Sequence, residues 1–400
     1  MKSKLFIHLC FLVPFVITAL NAQVLATYFV SQTVAQLIAY GNMGLIILGT
    51  GLILKQRGEL SKTAKLWIIF YLMYFSIAIL AGAVHYHDTS ILLAVIPFIY
   101  TIGFYYYLSI PENRSLFEKT ALIALVFSCI ICIYWDSINF DLDYQGVHKY
   151  LVDRAQGVYG DANNMALVTI ISFVFVYKIY KPKKNFFKVF RLILLGVTFY
   201  SLFITFSNTG FMVFIISIVM LNYKFFKGIR LILGIGLLPV IYIMLLNLNQ
   251  LTAGIHLVGQ QRDKINNIVN IVSFKFDQVD DSGRGKLVAD LLRYIYENPL
   301  IGNGVDFANS HQAHNTYLGV WADAGIFTLL FFLFLLGSYF GKAIKSKPHT
   351  RFFVLPVLIT LCVFMLSLHS VINQPYIMAI FIYIGYLIDT NLDEKIDSVS

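Results

Sequence analysis

Three short stretches of this chain carry residue types that could do chemistry together. Arg154 sits in Asp153-Arg-Ala-Gln-Gly157-Val-Tyr-Gly-Asp161-Ala-Asn163-Asn164, and Arg284 sits in Asp281-Ser-Gly-Arg-Gly285. A guanidinium is a planar fork matched to phosphate oxygens, and flanking glycines let a substrate group approach the backbone closely. The third stretch, His311-Gln-Ala-His314-Asn315-Thr-Tyr317-Leu318, follows Asn298-Pro-Leu-Ile-Gly302-Asn-Gly304 and runs on through Trp321-Ala-Asp323-Ala-Gly325 into an apolar helix. It puts His314 and Asn315 at that helix's mouth. An imidazole titrates near neutral pH and can take a proton from a hydroxyl, so His314 is the candidate general base, with His311 one turn earlier. The plainer alternatives are salt bridges from the arginines to Asp153 or Asp281, and a helix-end histidine bonded to a carbonyl.

Other patterns carry less. His85-Tyr-His87-Asp88 lacks a third convergent metal ligand. Cys129-Ile-Ile-Cys132 lacks a second ligand pair and reads, like Cys10 and Cys362, as packing. Gly302-Asn-Gly304 has neither the third glycine nor the strand-to-helix context of a dinucleotide fingerprint. His369 and Asn373 are polar residues at membrane depth, suited to function or to helix–helix hydrogen bonding. These residues call for no metal and no cofactor.

The elements that must position this chemistry are apolar helices. The chain has 400 residues, 58% hydrophobic and 13% charged, about half the charge of a typical soluble domain. A soluble fold of this size has no interior large enough to hide so much apolar side chain. The net charge of +9 falls in short loops between apolar runs, which argues against a nucleic-acid partner and for membrane lipid. A helix needs about 20 apolar residues to cross a bilayer. Spans are expected near 5–21, 34–54, 66–84, 91–109, 120–137, 164–180, 189–206, 209–222, 231–248, 314–338, 352–370 and 375–390. The fold class is therefore an all-α polytopic integral membrane protein of about twelve transmembrane helices, one membrane domain over 1–400, without internal repeat.

Most of the 30 lysines and arginines lie in alternate gaps, including Lys55, Arg57, Lys62, Lys65 and the cluster Lys181, Lys183, Lys184, Lys188, Arg191. That bias places those gaps and both termini in the cytoplasm. Lys2, Lys4 and an apolar run before Ala19-Leu20-Asn21-Ala22 also resemble a cleavable leader, and residue 23 emerges outside on either reading. The stretch 249–313 is then the large external loop. Within it Leu287, Leu291, Leu292, Ile295 and Tyr296 share one helical face and Pro299 ends the helix, so an amphipathic helix is expected at the outer membrane–water interface.

The residues from Ser282-Gly-Arg284 through Glu297-Asn-Pro-Leu-Ile-Gly-Asn-Gly304 to His314-Asn315-Thr-Tyr-Leu318 and Ala324-Gly325-Ile326 resemble the O-antigen ligase/polymerase family. Arg154-Ala-Gln-Gly157 with Asn163-Asn164 is similar to its upstream arginine element, so the resemblance covers about 150–340. It implies helical membrane glycosyltransferases with about twelve spans and a large periplasmic loop. These move a glycan from a polyprenyl (undecaprenyl) diphosphate carrier to an acceptor hydroxyl at the periplasmic face of the bacterial inner membrane. The acceptor is lipid A–core for a ligase in lipopolysaccharide assembly, or a second lipid-linked glycan for a polymerase of O-antigen, capsular or exopolysaccharide repeats. By this resemblance His314 and Arg284 are catalytic, and Arg154, Arg284, Asn315, Asn208 and Arg293 bind the diphosphate and glycan. Asn208, in Ser207-Asn-Thr-Gly210, stands where many relatives carry arginine, and it cannot supply a positive charge. The reading favours a ligase, with a polymerase as alternative. A twelve-helix transporter or flippase is the rival from another class; it would show paired halves and broken midplane helices.

Overall fold

The structure is a computed structural model that describes residues 2–85, 91–142, 146–147, 153–225, 229–279, 284–311, 314–368 and 371–397. His87, Asp88, Asp281 and His369 lie outside the described residues. In chain order the helices are α1 (Lys2–Ala19), α2 (Ala22–Phe29), α3 (Gln32–Ile53), α4 (Lys62–His85), α5 (Ile91–Ala94), α6 (Ile96–Tyr107), α7 (Pro111–Ser137), α8 (Ala162–Lys178) and α9 (Asn185–Ile204). They continue as α10 (Asn208–Leu221), α11 (Ile229–Leu246), α12 (Leu248–Leu251), α13 (Gly259–Val272), α14 (Arg284–Glu297), α15 (Phe307–Ser310), α16 (Thr316–Lys345), α17 (Pro348–Phe364) and α18 (Pro375–Asp397). The strands Phe140–Asp141 and Gly146–Val147 pair antiparallel.

Among the described residues five helices are long and apolar enough to cross a membrane: Gln32–Gln56, Lys62–His85, Pro111–Ser137, Asn185–Ile204 and Thr316–Lys345. The pair Lys4–Ala19 and Ala22–Phe29, bent by 58°, makes a sixth if it is one span. Five further apolar helices are shorter, of 10–17 residues. The expected spans 91–109, 164–180, 209–222, 352–370 and 375–390 fall on these shorter helices. The expected spans either side of Ser207 are the separate helices α9 and α10, with Phe206 at φ 47° between them and Ser207 capping the 14-residue α10.

The chain divides into two compact units, one formed by 1–127 with 286–400 and the other by 128–285. In the first, α16 packs along α4, and α18 packs on α4, α6, α16 and α17. Their shared core is aromatic: the Trp67 ring meets Phe70, Tyr71, Phe332 and Phe381 at centroid distances of 4.6–6.3 Å. Offset and edge-on ring pairs add to the apolar area they bury. At one end of this bundle Asp389 accepts from Ser61 Oγ (2.6 Å) and the Thr63 amide (2.8 Å) and pairs with Lys342 at 3.4 Å. In the second unit α8 is buried along most of its length and packs on α9 and α10. Cys129 and Cys132 are free and buried there with Ala155, Met165 and Ile204, as packing residues.

Candidate functional site

In the unit 128–285 two of the candidate residues, Arg154 and Asn208, lie around the turn between α9 and α10. Ser207 is the N-cap of α10: its hydroxyl accepts from the Gly210 amide at 3.1 Å, satisfying one of the donors every helix start leaves open. The segment around Arg154 lies along this turn, with the Ala155 amide donating to the Ile204 carbonyl at 3.0 Å. The guanidinium then spans two partners. Nε donates to the Thr205 carbonyl at 2.9 Å, and a terminal nitrogen reaches Asn163 Oδ1 at 3.4 Å. Asn163 is buried and also accepts from Ser207 Oγ at 2.9 Å. Asp161 caps α8 by accepting from the Asn163 and Asn164 amides at 2.9 and 2.7 Å. The two helix starts and one guanidinium are therefore joined through Asn163. Gly157 and Gly160 take φ 53° and 63°, and a Cβ at Gly157 would fall 2.6 Å from Met165 Sδ.

Asn208 is the first residue of α10, and its Nδ2 donates to the Lys264 carbonyl at 3.3 Å. It brings no charge, but Arg154 brings a guanidinium to the same 204–208 turn. Asn163 bonds Arg154 directly and Ser207 bonds Asn163, so the two support the guanidinium. Ser207 could have been read from its N-cap residue type. Asn163 could not, because its partners are far away in sequence. Arg284 is the first residue of α14.

In the other unit the sequence 298–326 folds onto a break in α16. Ala324 (φ −130°, ψ 15°) and Gly325 (φ 76°, ψ 176°) leave helical geometry inside this helix. The freed groups are taken up by the preceding loop. The Ile326 amide donates to the Pro299 carbonyl at 2.9 Å, the Asn303 amide to Ala322 at 2.8 Å and the Gly304 amide to Asp323 at 3.1 Å. Asn303 Nδ2 bonds the Ala322 carbonyl as well, and Trp321 Nε1 bonds that of Pro299. Glycine is needed where backbone meets backbone: a Cβ at Gly302 (φ 77°) would lie 2.5 Å from the Asp323 carbonyl, and one at Gly325 would lie 1.9 Å from the Leu300 oxygen.

The helix expected from Leu287 to Tyr296 is α14, stopping at Glu297 before Asn298-Pro299. Its apolar face packs on protein. Leu291 and Ile295 are buried against Phe307, Ala308 and Ala322, while Tyr296 is 71% exposed. Arg293 is on the exposed side of α14, its guanidinium 5.1 Å over the Tyr294 ring. Burial pushes the Asp306 carboxyl above the usual carboxylate range, partly countered by a hydrogen bond from Asn309.

His314 takes φ 41° and is followed by Asn315, the N-cap of α16, whose Oδ1 accepts from the Leu318 amide at 3.1 Å. Asn315 therefore ends the loop and starts the helix. The His311 ring is clamped, stacked on Phe307 at 4.1 Å and edge-on to Tyr294 at 4.8 Å. Its Nδ1 lies 2.9 Å from the Phe307 carbonyl and 3.0 Å from Ser310 Oγ. The structure thus brings His311, His314 and Asn315 into one loop, and Arg154, Asn163 and Ser207 into one turn. Among the described residues no group of three or more His, Cys, Asp or Glu could hold a metal ion.

Residues 193–333 match the family model described as O-Antigen ligase. The match contains Asn208, Arg284, Arg293, His314 and Asn315, and begins after Arg154. No curated protein matches the chain.

Proposed function

From the O-antigen ligase segment at 193–333, a membrane glycan-transferring family, we propose that this chain moves a glycan from a polyprenyl (undecaprenyl) diphosphate carrier to an acceptor hydroxyl. The setting is the periplasmic face of a bacterial inner membrane, with both termini in the cytoplasm. That family match is the observation that carries the reading.

The chemistry asked of the residues is modest. The acceptor oxygen attacks the anomeric carbon, the bond from that carbon to the phosphate oxygen breaks, and the electron pair leaves with the diphosphate. The leaving group is already activated, so neither ATP nor a nucleotide sugar is needed. Charge that grows on the diphosphate is stabilised by cationic donors fixed in advance, the role given to Arg154 and Arg284 with Arg293 and Asn208 at the glycan. Arg154 suits it because Thr205 and Asn163 hold its fork in place. His314 takes the proton of the acceptor hydroxyl, and the Asn315 amide holds a sugar oxygen. The long apolar carrier tail stays in lipid, consistent with a site at the membrane face.

The preferred acceptor is lipid A–core, which makes the protein a ligase of lipopolysaccharide assembly; the alternative is a second lipid-linked repeat, which makes it a polymerase. A deletion strain separates them. Loss of long surface chains with polymerised glycan left on its carrier means ligase. Single repeats reaching the surface mean polymerase. Unchanged surface glycan and unchanged carriers would reject both.

A further inference from the structure

Asp323 is a carboxylate placed where an apolar residue would pack at less cost. It lies on α16, 6% exposed, one residue before the helix break. Burying an acid is unfavourable unless its oxygens are used. Both are: Tyr74 Oη donates to Oδ2 at 2.6 Å, and the Ala308 amide donates to Oδ1 at 2.7 Å. The second bond has a consequence one residue away. The peptide unit whose N–H belongs to Ala308 is the one whose carbonyl belongs to Phe307, and that carbonyl lies 2.9 Å from His311 Nδ1. A trans peptide is rigid and planar, with its N–H and C=O pointing opposite ways. Pinning the N–H on the carboxylate therefore aims the C=O at the imidazole. A carbonyl whose own N–H is engaged by an acid is also a stronger acceptor, since hydrogen bonds in a chain polarise one another. Asp323, one peptide group and His311 form a continuous relay.

The relay settles which ring nitrogen is free. A strong acceptor at Nδ1 favours the proton there, with its donor bond to Phe307, and leaves the lone pair on Nε2. Phe307 and Tyr294 hold the ring between them, and no described residue bonds Nε2. The geometry points to Asp323 as a positioning residue that acts through the Phe307–Ala308 peptide to present His311 Nε2 as the hydrogen-bond acceptor for a hydroxyl of the acceptor glycan. The inference rests on the glycan-transfer reading. It gives His311 acceptor recognition, separate from the proton transfer assigned to His314.

The test combines kinetics with a readout independent of turnover, on the full-length protein in nanodiscs. ¹⁵N NMR of the histidine rings reports the tautomer of His311, assigned by its loss in His311→Gln. Wild type should show Nδ1–H. Asp323→Asn keeps one carbonyl oxygen for the Ala308 amide but loses the charge, and should mix the tautomers; Tyr74→Phe, which removes the other partner of the acid, should do so less. In the transfer assay His311→Ala should raise the acceptor KM about tenfold, the worth of one neutral hydrogen bond, and leave kcat within about twofold. His311→Gln, whose side-chain amide oxygen can stand in for Nε2, should recover much of the loss. An acceptor KM unchanged in His311→Ala, or a His311 tautomer that does not respond to Asp323→Asn, would overturn the proposal. A wild-type protein that transfers no glycan while its tautomer still responds would reject the transfer reading and the acceptor role of His311 with it, but would uphold the Asp323 relay.

Discussion

Replacing Gly325 with alanine puts a methyl group where the Leu300 carbonyl already stands. The Cβ would lie 1.9 Å from that oxygen and 2.4 Å from its carbon. Both are backbone atoms and cannot rotate aside. At φ 76° and ψ 176° the residue also occupies a region that side chains avoid, at about 1–3 kcal/mol. Relieving the overlap by shifting the 299–301 loop adds about 1–3 kcal/mol. The sum, about 2–6 kcal/mol, is a large part of an ordinary protein's stability. Gly337 lies on the same helix with nothing within 4 Å of its would-be Cβ, and alanine there should gain about 0.5–1 kcal/mol. Denaturant unfolding of both variants in detergent, followed by fluorescence, gives the comparison; Trp321 reports the loop directly because its indole bonds the Pro299 carbonyl. Gly325→Ala should be the less stable by at least about 2 kcal/mol and should blue- or red-shift the native Trp emission. Equal stability would refute the account of the break as a backbone-to-backbone joint.

Arg154→Ala should lower glycan transfer at least about 100-fold, the usual loss for one fixed donor at a charge-developing site. Arg154→Lys should recover little in the same assay, because an ammonium cannot reach both Thr205 and Asn163 as the fork does. Asn315→Ala should lose about 1 kcal/mol of stability with its cap and also lose transfer. Asn315→Ser, which can still cap, should restore the melting temperature but not the rate, and full recovery by serine would reduce Asn315 to a capping residue. Asp306 has its folded carboxyl raised by burial, so the native state binds the proton more readily than the unfolded one. The resulting penalty is fully present above the folded pKa and fades as pH falls through it toward the ordinary carboxylate value. Asp306→Asn, which also tolerates the φ of 60°, should raise the melting temperature at pH 7.5 and lose that advantage at acid pH.

What could be read along the chain was periodicity and residue type. The 3.6-residue spacing of Leu287, Leu291 and Ile295 and the stop at Pro299 mark a helix, and α14 is there. Which residues cover its apolar face depends on contacts with Phe307 and Ala322, which spacing along the chain does not name. The boundary expected between 189–206 and 209–222 lies where the backbone turns, at Phe206. Gly302 and Gly325 stood out in the sequence, but their reason is a loop docked on a broken helix, visible only in three dimensions. Asp323 lies inside the Trp321–Gly325 motif. An acid within an otherwise apolar helix is itself a signal, and that rule would have found it. The supports of Arg154 come from residues about 10 and 50 positions away, beyond the reach of local pattern.

The most direct test of the central claim uses purified protein in proteoliposomes with a polyprenyl diphosphate-linked glycan, an acceptor, and no nucleotide. The account predicts that glycan moves to the acceptor and free polyprenyl diphosphate appears in equal amount, and that His314→Ala and Arg284→Ala abolish both while inserting normally. Full activity in both variants, or no transfer by the wild-type protein with either lipid A–core or a second lipid-linked glycan as acceptor, would contradict it.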